Sequence, residues 1–127
     1  MSKKKILPTA AELEILSILW EGEPLTVKEI HQQLQDKKDI GYTTALKIMQ
    51  NMTSKGLLKR ELSGKSHLYS SVYKKEDTQS TLLERFVDSA FGGSASSLVM
   101  QLLGNSKTTE KELKEIKDII SQIEKKQ

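Results

Sequence analysis

The sequence contains no cysteine, which excludes a disulfide framework and any metal site built on thiolates. Its two histidines, His31 and His67, stand apart and offer no cluster of metal ligands. No apolar run approaches the roughly 18 residues of a transmembrane helix, and the basic start at residues 1–5 lacks the apolar segment of a signal peptide. We therefore expect a cytoplasmic protein without membrane insertion, bound metal or cofactor.

Patterns typical of catalysis are missing as well. The sequence has no nucleophile placed with a base, no glycine-rich phosphate loop and no carboxylate pair in an apolar setting, so we expect no enzyme. With 127 residues, 36% of them hydrophobic and 29% charged, the chain has room for at most two small folded units.

Charge is distributed unevenly along the chain. Residues 1–75 carry 13 Lys and Arg against 8 Asp and Glu, whereas residues 76–127 carry 7 against 9. In residues 41–75, Glu61 is the only acid and the basic residues are Lys47, Lys55, Lys59, Arg60, Lys65, Lys74 and Lys75. Such a segment is expected of a surface that neutralises phosphates, although basic faces are often only solvated.

The N-terminal part predicts two helices, each opened by a capping box. Thr9 and Glu12 begin the first helix, which ends at Gly22, and Thr26 and Glu29 begin the second. The residues expected to face the core are Leu13, Leu16, Ile18, Leu19 and Trp20 in the first helix, and Ile30 and Leu34 in the second.

A third helix is predicted from Thr43, its expected N-cap, to Gly56, its stop. At about 100° per residue, its apolar side consists of Ala45, Ile48, Met49 and Met52. The opposite side carries hydrogen-bonding groups and no acid, in Thr43, Thr44, Lys47, Gln50, Asn51 and Ser54. Because solvated helix faces usually include acids, this face is suited to the major groove of DNA, where phosphates repel carboxylates.

After the third helix, apolar and polar residues alternate, which predicts two strands joined by a turn at residues 63–66. Leu58 and Leu62 are expected on one face of the first strand, and Lys59 and Glu61 on the other. In the return strand, residues 67–73, the alternation sets Leu68 and Val72 against His67, Tyr69, Ser71 and Tyr73.

Three helices followed by a basic hairpin are the element order of a winged helix-turn-helix domain. Arg60, Lys65 and His67 are expected near the tip of the hairpin. For His67 a position near phosphate is favoured over a pH switch. Tyr69 and Tyr73 are expected to pack the hairpin and not to stack on bases.

Residues 76–127 predict three amphipathic helices. A break at residues 92–94 separates the first two, and a capping box of Thr109 and Glu112 opens the last. Three short helices cannot easily bury this much apolar surface by themselves, so we expect a second copy of the chain to cover it in a dimer. The alternative is a self-contained three-helix cap. The residues expected in the dimer interface are Leu82, Leu83, Phe86, Leu98, Val99, Leu102, Leu113, Ile116 and Ile120.

The expected fold class is mainly α with a small β-hairpin: a winged helix-turn-helix DNA-binding domain in residues 1–75 and a helical dimerisation domain in residues 76–127. A two-fold dimer would present two third helices to a palindromic operator, with half-sites about one helical turn, or a multiple, apart. The alternative is a winged-helix module that binds protein instead of DNA, against which the acid-free helix face argues.

Along nearly its full length the chain resembles the penicillinase-repressor family, the BlaI/MecI/CopY group of winged-helix transcriptional repressors. The resemblance lies in the order and spacing of residues 7–20 (LPTAAELEILSILW), residues 42–45 leading to 55–57, the wing ending in Tyr69, and residues 91–94 followed by 97–99. It implies a homodimer that represses its target genes by occupying operator DNA.

The resemblance also implies roles for single residues. Thr43, Thr44 and Lys47 match third-helix positions that approach bases in the family, while wing residues grip the DNA backbone. Together with the patterns above, the expected DNA-binding residues are Thr43, Thr44, Lys47, Gln50, Asn51, Lys59, Arg60, Lys65 and His67.

In some members of the family a membrane-bound sensor triggers proteolysis at an Asn-Phe bond in the dimerisation region. A sensor protease or its effector is therefore a candidate partner. The matching position here reads Gln101-Leu102, which leaves open cleavage at another bond or no cleavage. The copper-responsive branch uses C-terminal cysteine pairs and is excluded by their absence.

Overall fold

The computed structural model describes residues 6–105 and 107–127, so the basic start at residues 1–5 lies outside the described residues. The elements are α1 (Ala10–Glu21), α2 (Val27–Gln35), α3 (Tyr42–Lys55), β1 (Leu58–Ser63), β2 (Ser66–Ser71), α4 (Lys75–Ala90), α5 (Ala95–Gly104) and α6 (Glu110–Lys125). The chain divides into two compact units, Met1–Leu82 and Leu83–Gln127, with the division inside α4. The prediction of a mainly helical fold with one small hairpin is confirmed.

Both capping boxes of the first unit are present. The Glu12 amide donates to Thr9 Oγ1 at 3.2 Å, and Glu12 Oε1 accepts from the Thr9 amide at 2.9 Å. Thr26 and Glu29 repeat the arrangement with the same two distances. As predicted, Gly22 is the C-cap of α1. Each box satisfies amide groups that the first turn of a helix leaves without partners.

The third helix begins two residues earlier than predicted, at Tyr42. Its N-cap is Gly41, in an extended conformation, and no side chain caps the helix, so the prediction of Thr43 as N-cap is wrong. The Gly41 carbonyl already accepts the first helical bond, from the Ala45 amide at 3.1 Å. The stop at Gly56 is confirmed. This glycine has φ +87°, and the following amide, of Leu57, donates to the Met52 carbonyl at 2.9 Å.

The two strands pair antiparallel, with Ser63 opposite Ser66 across a two-residue turn. Tyr69, not Leu68, is the buried residue of β2. The cause is a bridge to the segment before α2: the amides of Leu25 and Tyr69 donate to each other's carbonyls at 3.1 and 2.8 Å, which seats Tyr69 over the helices. β2 ends at Ser71, so Val72 and Tyr73, which the alternation included in the strand, lie beyond it and are exposed.

The core of the first unit joins α1, α2 and α3 to the hairpin. Ile15, which the predicted stripe of α1 omitted, is fully buried, whereas Leu13 and Trp20 are only half-buried. The buried hydrophobic residues are Ile15, Leu16, Ile18, Leu19, Val27, Ile30, Leu34, Ala45, Met49, Met52, Leu57, Leu58 and Tyr69.

The second unit lacks such a core in the part of the chain that the structure describes. After α4 the backbone turns through Gly92 and Gly93, both with positive φ, into the break that the sequence predicts. The capping box of Thr109 and Glu112 is present at the start of α6. Neither α5 nor α6 contains a buried residue among those described. The exposed large hydrophobic residues here are Leu83, Phe86, Val99, Met100, Leu102, Ile119, Ile120 and Ile123.

Within residues 6–105 and 107–127, no helix has the length and apolar character needed to cross a bilayer.

We expect Leu19→Ala to lower the free energy of unfolding by about 2–5 kcal/mol, because it opens a cavity at a side chain of 0% exposure. The matched control is Leu62→Ala, at a side chain of 67% exposure, which should change the free energy by less than about 0.5 kcal/mol. Urea denaturation followed by circular dichroism measures both. Equal losses in the two variants would contradict the core described above.

Candidate nucleic-acid interface

One face of α3 is entirely exposed. Its residues are Thr43, Thr44, Lys47, Gln50, Asn51 and Ser54, the set that the helical wheel predicts. On the opposite side Ala45, Met49 and Met52 have no exposed surface, and Ile48 is half-buried against the core. The helix therefore offers solvent a continuous face of hydroxyl, amide and ammonium groups, which suit base edges and phosphates.

The basic residues of the hairpin are exposed but do not share one face. Residues paired across an antiparallel ladder lie on the same face of a sheet. Arg60 is opposite Tyr69, and Leu62 is opposite His67, so Arg60 and His67 are on the face that is buried nearer the base of the hairpin. Lys59 is on the other face, and Lys65 is in the turn. The structure thus separates Lys59 from Arg60 and His67.

The hairpin follows α3 after only Gly56 and Leu57. Leu57 is buried, and its carbonyl accepts from the Val72 amide at 3.0 Å, just beyond the end of β2. This short, doubly anchored connection fixes where the hairpin starts relative to the end of α3.

Lys55 differs from the other basic residues of this segment. Its ammonium lies 2.7 Å from Glu12 Oε2, and the other ion pair between described residues joins Lys38 to Glu14 at 2.6 Å. Neither pair involves the lysines of the exposed α3 face and the hairpin. The positive charge available to an anionic ligand within residues 41–71 is therefore carried by Lys47, Lys59, Arg60 and Lys65.

The Glu12 carboxylate is buried, with 4% of the residue exposed. Burial raises the pKa of this group, but the hydrogen bonds from the Lys55 ammonium and the Thr9 amide outweigh burial, so the pKa lies below its ordinary value of 4.5. Glu12 is ionised at neutral pH and serves two helices, because Oε1 completes the cap of α1 while Oε2 binds the last residue of α3.

A second polar contact fixes the segment that leads into α3. His31 of α2 donates from Nε2 to the Ile40 carbonyl at 2.7 Å, which requires the proton to be on that nitrogen. The ring of His31 also meets the ring of Tyr42 edge to face, with centroids 5.8 Å apart. Tyr42 is the first residue of α3 and is exposed, and its ring contact with His31 links the start of α3 to α2.

Sequence reasoning missed the contact between Glu12 and Lys55 and the contact between His31 and Ile40. The sequence patterns place Glu12 in a cap and Lys55 in the basic segment, and 43 positions separate the two. A single sequence carries no signal for such a pair.

No group of three or more His, Asp or Glu side chains suited to a metal ion occurs in the described ranges.

Comparison with known proteins identifies the family. The family model described as penicillinase repressor matches residues 8–122. The chain belongs to the penicillinase repressor family. A penicillinase repressor from Staphylococcus aureus is 28% identical over 126 residues, which cover 99% of this chain and 100% of the relative. The methicillin resistance regulatory protein MecI of S. aureus strain N315 is 22% identical, over 95% of this chain and 98% of MecI.

A solved structure shows the same fold. Streptococcus pneumoniae FabT in complex with DNA matches with a TM-score of 0.50 at 14% identity, covering 93% of this chain and 74% of FabT. The penicillinase repressor family is one of transcriptional repressors and not of enzymes. The resemblance noted in the sequence is thereby confirmed.

The lowered pKa of Glu12 predicts a particular pH dependence. A carboxyl whose pKa is lower in the folded state stabilises the fold above its unfolded pKa, and this contribution is lost as the pH falls through the folded value. Glu12→Gln should cost about 1–2 kcal/mol at pH 7, a range reduced because Lys55 is partly exposed. The difference between wild type and variant should shrink as the pH falls below 4.5.

Urea denaturation between pH 7 and pH 3 measures this difference. The matched control, Glu14→Gln, breaks the more exposed pair with Lys38 and should cost under about 1 kcal/mol at pH 7. A Glu12→Gln difference that stays constant down to pH 3 would contradict the prediction.

Proposed function

We propose that this penicillinase repressor family member is a sequence-specific repressor that binds operator DNA as a homodimer and inserts α3 into the major groove. The observation that carries the proposal is the exposed, acid-free face of α3 backed by the buried Ala45, Met49 and Met52. Thr43, Thr44, Lys47, Gln50 and Asn51 supply donors and acceptors for base edges and phosphates.

The hairpin contacts the DNA backbone in this proposal. Arg60 and His67 lie on one face of the hairpin and Lys65 in its turn, so these three reach phosphates together. Lys59 lies on the other face and acts through the field of its charge more than through direct contact. The structural division inside α4 leaves the complete hairpin with α3 in the first unit.

The second unit supplies the dimer interface. Of the nine residues expected there, Leu83, Phe86, Val99, Leu102 and Ile120 are exposed, and Leu82, Leu98, Leu113 and Ile116 are half-buried. A single chain thus leaves much apolar surface in water, and exposed patches of this kind mark interaction sites. An identical chain covers the surface on both partners at once through a two-fold interface.

A two-fold dimer explains how a short helix gains sufficient affinity. Two copies of α3 double the phosphate contacts and read two half-sites about one helical turn, or a multiple, apart, so the operator is palindromic. Occupation of such an operator by the dimer represses the adjoining gene.

Release from the operator requires a change in the second unit. The bond between Gln101 and Leu102 lies inside α5, and both side chains are exposed. A helical bond has to unwind before it becomes an extended strand that an enzyme can hold, so cleavage by a sensor protease would first melt the end of α5. In this mechanism the stability of α5 influences how readily the protease can cleave the chain and release the repressor from DNA.

Lys47→Ala should weaken operator binding by about 1–3 kcal/mol and relax the preference at one operator position. Fluorescence anisotropy with duplexes from the chain's own upstream region, each carrying one base-pair change, measures both effects. The control is Lys114→Ala in α6, which removes the same charge and should leave the base preference unchanged. Absence of any saturable, salt-sensitive binding by the wild type would refute the proposed function.

Ile120→Glu should convert dimers into monomers, because it places a charge on an apolar side chain that is exposed in the single chain and covered in the dimer. Light scattering coupled to gel filtration gives the mass. Ser121→Glu adds the same charge one residue on, toward the polar side of α6, and should remain dimeric. A persistent Ile120→Glu dimer would move the interface elsewhere.

A further inference from the structure

The end of α3 is tied to the beginning of α1 by a buried carboxylate. Lys55 is the last residue of α3, and its ammonium donates to Glu12 Oε2 at 2.7 Å. Only 6% of the Glu12 side chain is exposed, against 42% of the Lys55 side chain. The other carboxylate oxygen is occupied by the Thr9 amide, so the position of Glu12 is itself fixed by the cap of α1.

The fully buried side chains of α3 are small or unbranched, and its branched apolar side chains Leu46 and Ile48 are only partly buried. Its fully buried residues are Ala45, Met49 and Met52, and the two methionines have unbranched side chains that adapt to small shifts of the helix. Base recognition needs groups held within about 0.5 Å and 10–20° of their working geometry. A short hydrogen bond between charged groups is directional, so it can fix the end of α3 more sharply than the packing of methionines does.

We infer that Glu12 is a positioning residue for base recognition, and that Lys55 serves as its partner and not as a phosphate contact. The inference rests on the proposed function, since it concerns how the α3 face meets operator DNA. Glu12 holds the C-terminal end of the helix, and Gly56 and Leu57 carry the same constraint into the hairpin.

Two measurable properties of DNA binding distinguish a residue that positions α3 from a residue that contacts phosphate directly. The number of phosphate contacts sets the dependence of affinity on salt, while the placement of base-reading groups sets discrimination between operator and unrelated DNA. Loss of the Glu12–Lys55 pair should therefore reduce discrimination and leave the salt dependence unchanged.

The experiment uses the full chain with two duplexes, one selected by the wild type from a random pool and one of scrambled sequence. Glu12→Gln keeps the size of the side chain and an oxygen for the cap of α1, and Lys55→Met removes the ammonium. Both variants should lose about tenfold in the ratio of the two affinities, with the same slope of log affinity against log salt as the wild type. Lys55→Arg restores the charge and should recover most of the ratio.

The matched control is Lys38→Met, which breaks the exposed pair with Glu14 and should leave both ratio and slope unchanged. Circular dichroism and thermal melting confirm that each variant is folded at the temperature of the assay.

Three results would overturn the inference. A slope reduced by about one in Lys55→Met would make Lys55 a phosphate contact. A lower melting temperature with an unchanged affinity ratio would leave the pair a purely structural role. A wild type that fails to discriminate between the duplexes would refute the proposed function, and the positioning role with it, and is distinguishable because it appears before any variant is made.

Discussion

The buried carboxylate of Glu12 is the constraint on which the geometry of the first unit depends. It closes the cap of α1 and binds Lys55, so the start of the first helix and the end of the third are held by one charged group. An ion of this kind is tolerated in the interior only when its lone pairs are satisfied, and both oxygens of Glu12 have a donor. The contact couples the first helix of the core to the helix whose other side carries the exposed, acid-free face.

Much of the first unit follows from local rules. Capping boxes at Thr9 and Thr26 and the left-handed stop at Gly56 are determined by residues close in sequence, and all three were predicted correctly. The wheel of α3 also separated its faces, because burial follows the helical period. Which face of β2 meets the core depends instead on a distant contact. Tyr69 is buried because the bridge to Leu25 seats it over the helices, and alternation alone cannot show which face of a strand meets the core.

In the second unit, the helices follow from local sequence signals but a buried core does not. Its helix boundaries were predicted from glycine and threonine signals, yet the described residues form no buried core in α5 or α6. Local sequence therefore specifies helices whose apolar sides remain exposed in the single chain. The two units therefore differ in how they are stabilised. The first unit has its own hydrophobic core, whereas in the proposed repressor the second unit provides the surface through which two copies of the chain associate.

Gly41 has a consequence for how this protein can diverge. Because a backbone carbonyl, and no side chain, begins α3, the positions that follow it have no duty in starting the helix. Exposed residues without such a duty usually change stability by less than about 0.5 kcal/mol when substituted. Thr43 and Thr44 are therefore free to vary without loss of the fold, so under the proposed function single substitutions at the start of one helix could change the operator preference.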